Sequence, residues 1–337
     1  MNKKKALITG ITGMVGSHLA DYLLKNTDWE VYGMCRWRSP FDNIKHLIPR
    51  IEKKDRCYLL YGDLNDYVSL QNLLEIAKPD YLFHLAAQSY PKTSFDSPID
   101  TFNTNILGTA KILEATKRAA PNSIIHVCAS SEVFGRVSKD KLPINEECGF
   151  HPASPYAISK VGTDLIGRFY GEAYGLNCIT TRMFTHTGPR RGDVFAESSF
   201  AKQIAMIEAN LVEPILKTGN LDSLRTFADV RDAVEAYYKL VTINPIPGEY
   251  YNIGGTYTCT IREMLEKLLS FSTKKNIKVI TDPERLRPID ADLQVPNTQK
   301  FTKHTGWKPQ ISFEKTMLDL LNYWRERISN GEIFLSR

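Results

Sequence analysis

The chain opens with a short apolar run, Ala6-Leu7-Ile8-Thr9, that stops at Gly10; apolar residues then recur at Val15, Leu19, Tyr22 and Leu23. A brief run bounded by glycine reads as a buried strand, and three-to-four periodicity after it as a helix with one apolar face. The rhythm repeats. Strands are expected over 30–34, 57–61, 81–85 and 124–128, each arriving after a helix-length interval, with a helix over 107–118 before the last of them. A long helix over 157–174 and a strand over 178–183 extend the series. Strands that alternate with helices specify a parallel sheet covered on both faces.

Beyond Gly188 the pattern is punctuated by Pro and Gly. Helices are expected over 200–209, 230–241, 261–270 and 313–328, a strand over 249–253, and a loop over 219–226. The architecture this implies is α/β: a Rossmann-like doubly wound parallel sheet with a smaller, interleaved C-terminal α/β lobe. Residues 1–184, with contributions from about 226–256, would form the dinucleotide-binding domain and 185–337 the second lobe. No repeat or low-complexity tract interrupts the plan.

Charge and composition narrow the partners. Lys and Arg number 43 against 38 Asp and Glu, and the excess of +5 is scattered rather than gathered into the basic stripe that nucleic acid requires. No apolar run approaches the roughly 18 residues of a membrane span, and the segment before Gly10 is too short for a signal-peptide core. The six cysteines form no C-x-x-C pair and the seven histidines show no ligand spacing, so neither a disulfide framework nor a metal site is expected. These features exclude a nucleic-acid or membrane partner and suit a cytoplasmic protein that handles anionic small molecules.

Two groups of residues carry chemistry. Gly10-x-x-Gly13-x-x-Gly16 follows the first strand and opens the first helix, so the main chain of Gly10, Thr12, Gly13, Met14, Val15 and Gly16 can approach a pyrophosphate held at the helix N-terminus. Arg36 and Arg38 stand at the end of the second strand, where a NAD-selective site would offer an acid; they suit a 2′-phosphate. Asp63 and Leu64, after the third strand, are placed to meet the adenine, and Leu85, Ala86 and Ala87 leave room for a cofactor beside the fourth. The second group centres on Tyr156, which has Lys160 four residues later on one helical face. There an ammonium would stabilise the phenolate and lower the phenol from its ordinary value near ~10. Ser130, at the carboxyl end of the strand 124–128, can hydrogen-bond the same substrate hydroxyl. Taken singly, each has a plain alternative, namely a structural turn, a solvated arginine or a chain-turning serine. Together they point to redox chemistry at an alcohol.

Glycine turn, strand-end Ser130, Ser-Pro-Tyr156-x-x-x-Lys160 and the later lobe together resemble the extended short-chain dehydrogenase/reductases of the nucleotide-sugar branch, from Gly10 to about Arg327. Leu85-Ala86-Ala87-Gln88-Ser89, Ser130-Ser131-Glu132, the stretch Thr187 to Gly192, Gly219 to Asp222, Arg225, Asp229 to Asp232 and Arg287-Pro288 narrow the likeness to the GDP-mannose 4,6-dehydratase and GDP-4-keto-6-deoxymannose reductase families. The resemblance implies NAD(P), tightly bound, and a GDP-sugar substrate oxidised at carbon 4, with Ser130, Glu132, Tyr156 and Lys160 catalytic. It places Ser89, Thr185, Arg191, Asn220, Arg225, Arg287 and Asp290 at the substrate, the arginines on phosphate and Asp290 on ribose or guanine. In relatives the Arg191 loop also reaches a neighbouring subunit's cofactor. Association through helices beside the sheet implies a homodimer or homotetramer.

Glu132 implies dehydration, because dehydratases use a Glu there to take the carbon-5 proton; from two residues after Ser130 it reaches that carbon only through an irregular turn. Ser130 replaces the dehydratases' usual Thr, Thr185 their Asn, and Met14-Val15 inside the glycine turn matches the reductases. A carbon-4 dehydrogenase, a reductase and a non-catalytic dinucleotide-binding regulator therefore remain as alternatives.

Overall fold

The computed structural model describes residues 3–286, 288–289 and 291–332. Seven parallel strands form its central sheet: β1 (Lys5–Thr9), β2 (Glu30–Cys35), β3 (Cys57–Tyr61), β4 (Tyr81–His84), β5 (Ile124–Cys128), β6 (Asn177–Met183) and β7 (Tyr250–Ile253). Their order across the sheet is β7-β6-β5-β4-β1-β2-β3. The direction of winding reverses between β1 and β4, and the crevice at that switch point is where open α/β sheets receive ligands. The strands run as near-continuous apolar segments because both faces are covered by helices.

The second lobe is more open in pattern. The strand Leu224–Asp229 pairs antiparallel with Tyr257–Thr260 and parallel with Leu293–Gln294 and His186–Thr187. A separate two-stranded sheet joins Ile215–Thr218 to Lys278–Thr281. The helices Ala196–Glu208, Ile261–Ser270 and Phe313–Ser329 close an apolar core over the first of these sheets. The loop expected over 219–226 is thus corrected from Leu224 onward. That strand buries Arg225, Thr226 and Asp229, so it lacks the apolar run that announces a strand in sequence. The helix expected from Leu107 begins at Gly108, after a widened π turn over Asn103–Leu107. Among the described residues no helix is long and apolar enough to cross a membrane, and all six cysteines are free thiols.

Two buried polar devices position the carboxyl edge of the sheet. The first locks the long helix Pro155–Tyr174 to β6. Arg182 grips the Asp164 carboxylate through Nε at 2.8 Å and Nη2 at 3.0 Å, and its Nη1 donates to the Glu146 carbonyl at 2.7 Å. Both side chains are buried, and the Tyr250 ring covers the guanidinium at 4.5 Å. Two charges without water are tolerable only as a fully bonded pair.

The second device braces the turn after β1. Thr9 Oγ1 accepts the N–H groups of Leu85 and Ala86 at 3.0 Å each, which leaves its own proton for His84 Nδ1 at 3.1 Å. His84 Nε2 then donates to Thr109 Oγ1 at 3.1 Å, and Thr109 passes its proton to the Asn105 carbonyl. The chain is satisfied only by a neutral imidazole, and burial, helped by the charge of Lys160, pulls His84 down to about 3.

Asp164→Ala should therefore strand the Arg182 charge and cost about 3–5 kcal/mol of stability by denaturant titration; a loss under ~1 kcal/mol would refute the lock. His84 also sets a pH dependence. Its folded-state value lies below the ordinary 6.5, so the stabilisation is complete above about pH 6.5 and is lost as pH falls towards 3. The urea midpoint should drop across that window, and less steeply in His84→Gln; equal slopes in the two proteins would count against the neutral brace.

Candidate active site

A cleft of about 1020 Å³ lies along the carboxyl edge between the sheet and the second lobe. One wall is the glycine turn. Gly10 has φ +73°, a left-handed conformation that favours glycine, and an added Cβ there would sit 3.0 Å from the Ala86 Cα. At Gly16 a Cβ would fall 2.3 Å from the Gly10 carbonyl oxygen. The helix Met14–Asn26 thus starts flush against the end of β1, with Gly13 as an N-cap that offers no side-chain cap, so its first N–H groups face the cleft. The Asn43 amide donates to the Thr12 carbonyl at 3.0 Å and fixes the turn from the far side. This main-chain cradle, open only because no side chains fill it, fits a pyrophosphate.

Facing it are Ser130, Glu132, Tyr156 and Lys160. Ser154 caps the helix Pro155–Tyr174 by accepting from the Ala157 N–H at 3.0 Å, which delivers Tyr156 and Lys160 to the cleft one turn apart. Lys160 Nζ donates to the Cys128 carbonyl at 2.8 Å, at the tip of β5. Ser130 follows in extended conformation; its Oγ bonds the Tyr156 phenol and accepts the Glu132 N–H at 3.2 Å. From Ser131 to Phe134 the chain makes a 3-10 turn, the irregularity that brings Glu132 to the same cleft as Tyr156 instead of continuing the strand.

The expected acidity of Tyr156 is not what the structure displays. Burial pushes the phenol well above its ordinary value, while the Ser130 hydrogen bond and the charge of Arg191 pull the other way, and Cys128 and Glu132 add to the rise. Lys160 is itself lowered, chiefly by burial. In this arrangement its ammonium serves the Cys128 carbonyl, and desolvation outweighs the cation as the influence on the phenol.

Of the expected cofactor residues, Gly10, Thr12, Gly13, Met14, Val15, Gly16, Leu85 and Ala87 line the cleft. Ala86 backs Gly10. Three others lie off the lining. Arg36 sits in an exposed turn closed by the Ser39 N–H on its carbonyl, Asp63 accepts the Asn65 N–H at 2.9 Å, and Leu64 is buried against Gly108. Arg38 rests on the Trp37 ring at 4.5 Å. Ser89, Thr185, Arg191, Asn220 and Arg225 all line the same cleft. Arg191 pairs with Glu197 at 3.0 Å, lies over the Phe195 ring at 3.4 Å, and influences Tyr156 of its own chain. Its neighbour Arg190 bonds Asp21 at 2.7 Å on the helix Met14–Asn26. Arg287 and Asp290 lie outside the described residues.

The structure adds residues that sequence reading passed over. Arg285 lines the cleft and donates to Ser199 Oγ at 2.9 Å. Lys202, paired with Asp193 at 2.6 Å, and Trp324 and Arg327 of the last helix also reach the lining. Arg285 lies two positions before the arginine that sequence analysis chose, and Asn43 lies within the loop that follows β2; only the pairing of distant segments distinguishes them.

Comparison with known proteins agrees with this geometry. The family described as GDP-mannose 4,6 dehydratase matches residues 7–320. A GDP-mannose 4,6 dehydratase of Drosophila melanogaster is 32% identical over 342 residues, covering 94% of this chain and 85% of its own. A GDP-6-deoxy-D-mannose reductase of Pseudomonas aeruginosa is 31% identical, covering 96% of this chain and 98% of its own. Among solved structures, RMD from Pseudomonas aeruginosa complexed with NADPH superposes with a TM-score of 0.81 at 28% identity, covering 96% of this chain and all of its own (100%). A dTDP-glucose 4,6-dehydratase from Streptomyces venezuelae shares the fold, with a TM-score of 0.82 at 24% identity over 96% of this chain and 98% of its own. With a family match that spans most of its length and relatives above 30% identity on either side, the chain belongs to the GDP-mannose 4,6-dehydratase family.

Proposed function

We propose that this protein oxidises carbon 4 of a GDP-linked manno sugar, GDP-mannose or GDP-manno-heptose, and carries it on as a 4,6-dehydratase to a 4-keto-6-deoxy sugar. The observation that carries the reading is the 3-10 turn that brings Glu132 to the wall of the cleft that Tyr156 also lines, opposite a main-chain cradle for pyrophosphate.

NAD(P), when bound, supplies the hydride acceptor at carbon 4 and the hydride donor at carbon 6. Gly10, Thr12, Gly13, Met14, Val15 and Gly16 would hold its pyrophosphate and Leu85, Ala86 and Ala87 its nicotinamide half; the adenine and 2′-phosphate contacts expected of Asp63, Leu64 and Arg36 are not carried over, since these residues lie off the cleft lining. Tyr156, once its own proton has passed to solvent, takes as phenolate the proton of the carbon-4 hydroxyl while Ser130 holds the same oxygen. Lys160 supplies positive charge next to the phenol as it ionises. The ketone acidifies carbon 5. Glu132 takes that proton and returns it to the carbon-6 hydroxyl, which leaves as water, and then delivers a proton drawn from solvent to carbon 5 as carbon 6 is reduced. Arg191 and Arg225 would meet the diphosphate with paired donors, joined by Arg285. Arg287 and Asp290 keep their expected roles on phosphate and on ribose or guanine, and Ser89, Thr185 and Asn220 theirs around the sugar.

A reductase that runs the hydride onto a 4-keto-6-deoxy sugar is the second reading. Met14-Val15 inside the glycine turn and the near end-to-end match to the Pseudomonas reductase favour it.

In deuterated water, GDP-mannose or a GDP-manno-heptose should give a 4-keto-6-deoxy product labelled from solvent, read by mass spectrometry. A product that keeps oxygen on carbon 6 would instead show a simple dehydrogenase, and consumption of a 4-keto-6-deoxy sugar alone would show the reductase. Glu132→Gln should retain carbon-4 oxidation and lose water elimination by ~100-fold or more. Tyr156→Phe should remove turnover in every version; full activity in that variant would end the enzymatic reading.

We also propose assembly as a homodimer, or a homotetramer built from it, through the helix Pro155–Tyr174. Ile158, Leu165 and Phe169 recur on one face and are 46%, 48% and 52% exposed. Ile99 and Leu107 extend the apolar surface nearby. Light scattering should give at least twice the chain mass for the native protein and a lower mass for Leu165→Glu/Phe169→Glu. A native mass equal to one chain would refute the assembly.

A further inference from the structure

The N–H of Tyr156 belongs to the first turn of its helix, where main-chain donors have no partner within the helix. Ser154 satisfies that of Ala157 locally. Tyr156 instead donates to Ser94 Oγ at 3.0 Å, from a residue 62 positions earlier. Ser94 is fully buried, and its own hydroxyl proton goes to the Pro91 carbonyl, so the oxygen is oriented to accept. Ser94 lies on the short helix Pro91–Asp96, whose flank carries Tyr90, Lys92 and Thr93 onto the cleft wall. That flank reaches the second lobe: Lys92 Nζ donates to the Glu284 carbonyl at 2.7 Å, and Tyr90 meets Phe195 edge to face at 6.0 Å.

We propose that Ser94 is a positioning residue for Tyr156: its Oγ fixes the main chain from which the phenol hangs, and so keeps that phenol on Ser130. The inference rests on the function proposed above, in which Tyr156 is the proton acceptor. A catalytic group displaced by about an ångström loses roughly a hundredfold in rate, and a single main-chain bond at its own residue is the shortest lever on that displacement. The phenol is surrounded by Ser130, Cys128 and Glu132 from β5 and its turn, Arg191 from the loop after β6, Lys160 from its own helix, and Tyr237 from the helix Val230–Thr242. Among them Ser130 and Arg191 favour ionisation; a phenol that drifts from Ser130 loses the hydrogen bond that does so.

Ser94→Ala should lower kcat about 10- to 100-fold with KM for the GDP-sugar within about twofold, and should move the acid limb of the kcat profile to higher pH. Ser94→Thr, which keeps the oxygen, should retain the native profile. Ser94→Cys, with a weak sulfur acceptor, should show the same upward movement and serves if the alanine variant does not fold. A profile of native shape and reduced height would mean only a smaller folded fraction and would overturn the proposal, as would a native kcat. The ring-carbon NMR signal of Tyr156, identified by its absence in Tyr156→Phe, reads the position without turnover. It should shift in Ser94→Ala and stay fixed in Ser94→Thr. If native protein turns over no GDP-sugar, the functional reading fails, whereas a Tyr156 signal unmoved by Ser94→Ala sinks the positioning role itself.

Discussion

The angle at which the helix Pro155–Tyr174 crosses the sheet is held by a buried charge pair. Apolar contacts tolerate sliding, because any well-filled arrangement gains about the same free energy. The forked bond from Arg182 to Asp164 does not, since a small shift leaves a charge without water or partner. Everything the cleft presents is referred to that helix. Lys160 reaches the end of β5 from it, Tyr156 hangs from its first turn, and Ser130 meets the phenol at the strand tip. The sheet contributes the other half through the Thr9–His84–Thr109 chain, which ties the glycine turn to the segment after β4. Two polar networks therefore set the width of the gap in which the proposed chemistry takes place.

The electrostatics of that gap bear on how the phenol would work. Burial opposes its ionisation, and only a phenol that has first given up its own proton can accept one from a substrate. Lys160, lowered by the same burial and bonded to the Cys128 carbonyl, keeps ammonium donors beyond that one bond.

How much of this was legible in the sequence depended on what each segment buries. Segments 57–61 and 124–128 were read with their observed bounds, because such strands are apolar on both faces. The strand Leu224–Asp229 was not, because Arg225, Thr226 and Asp229 among its buried residues are polar and interrupt the apolar run of Phe227 and Ala228. The π turn before Gly108 left no periodic trace. In the site, the glycine turn and the residues Ser130, Tyr156 and Lys160 were visible from local spacing. Asn43, Ser94 and Arg285 were not, since each matters only through a contact with a distant part of the chain. The expected acidity of Tyr156 followed from counting a cation without counting the loss of water.

Strand β7 is supplied late. β6 pairs with β5 on one side and with Tyr250–Ile253 on the other, and between β6 and that partner the chain departs to build much of the second lobe. A nascent polypeptide that has emerged past β6 but not yet past Tyr250–Ile253 would thus present β6 as an open rim, ready to recruit a foreign strand. Harbouring of that rim by a chaperone, or rapid delivery of the remaining residues, becomes a condition for clean biogenesis. The interleaving that joins the two lobes in the mature protein also makes its synthesis a single indivisible act.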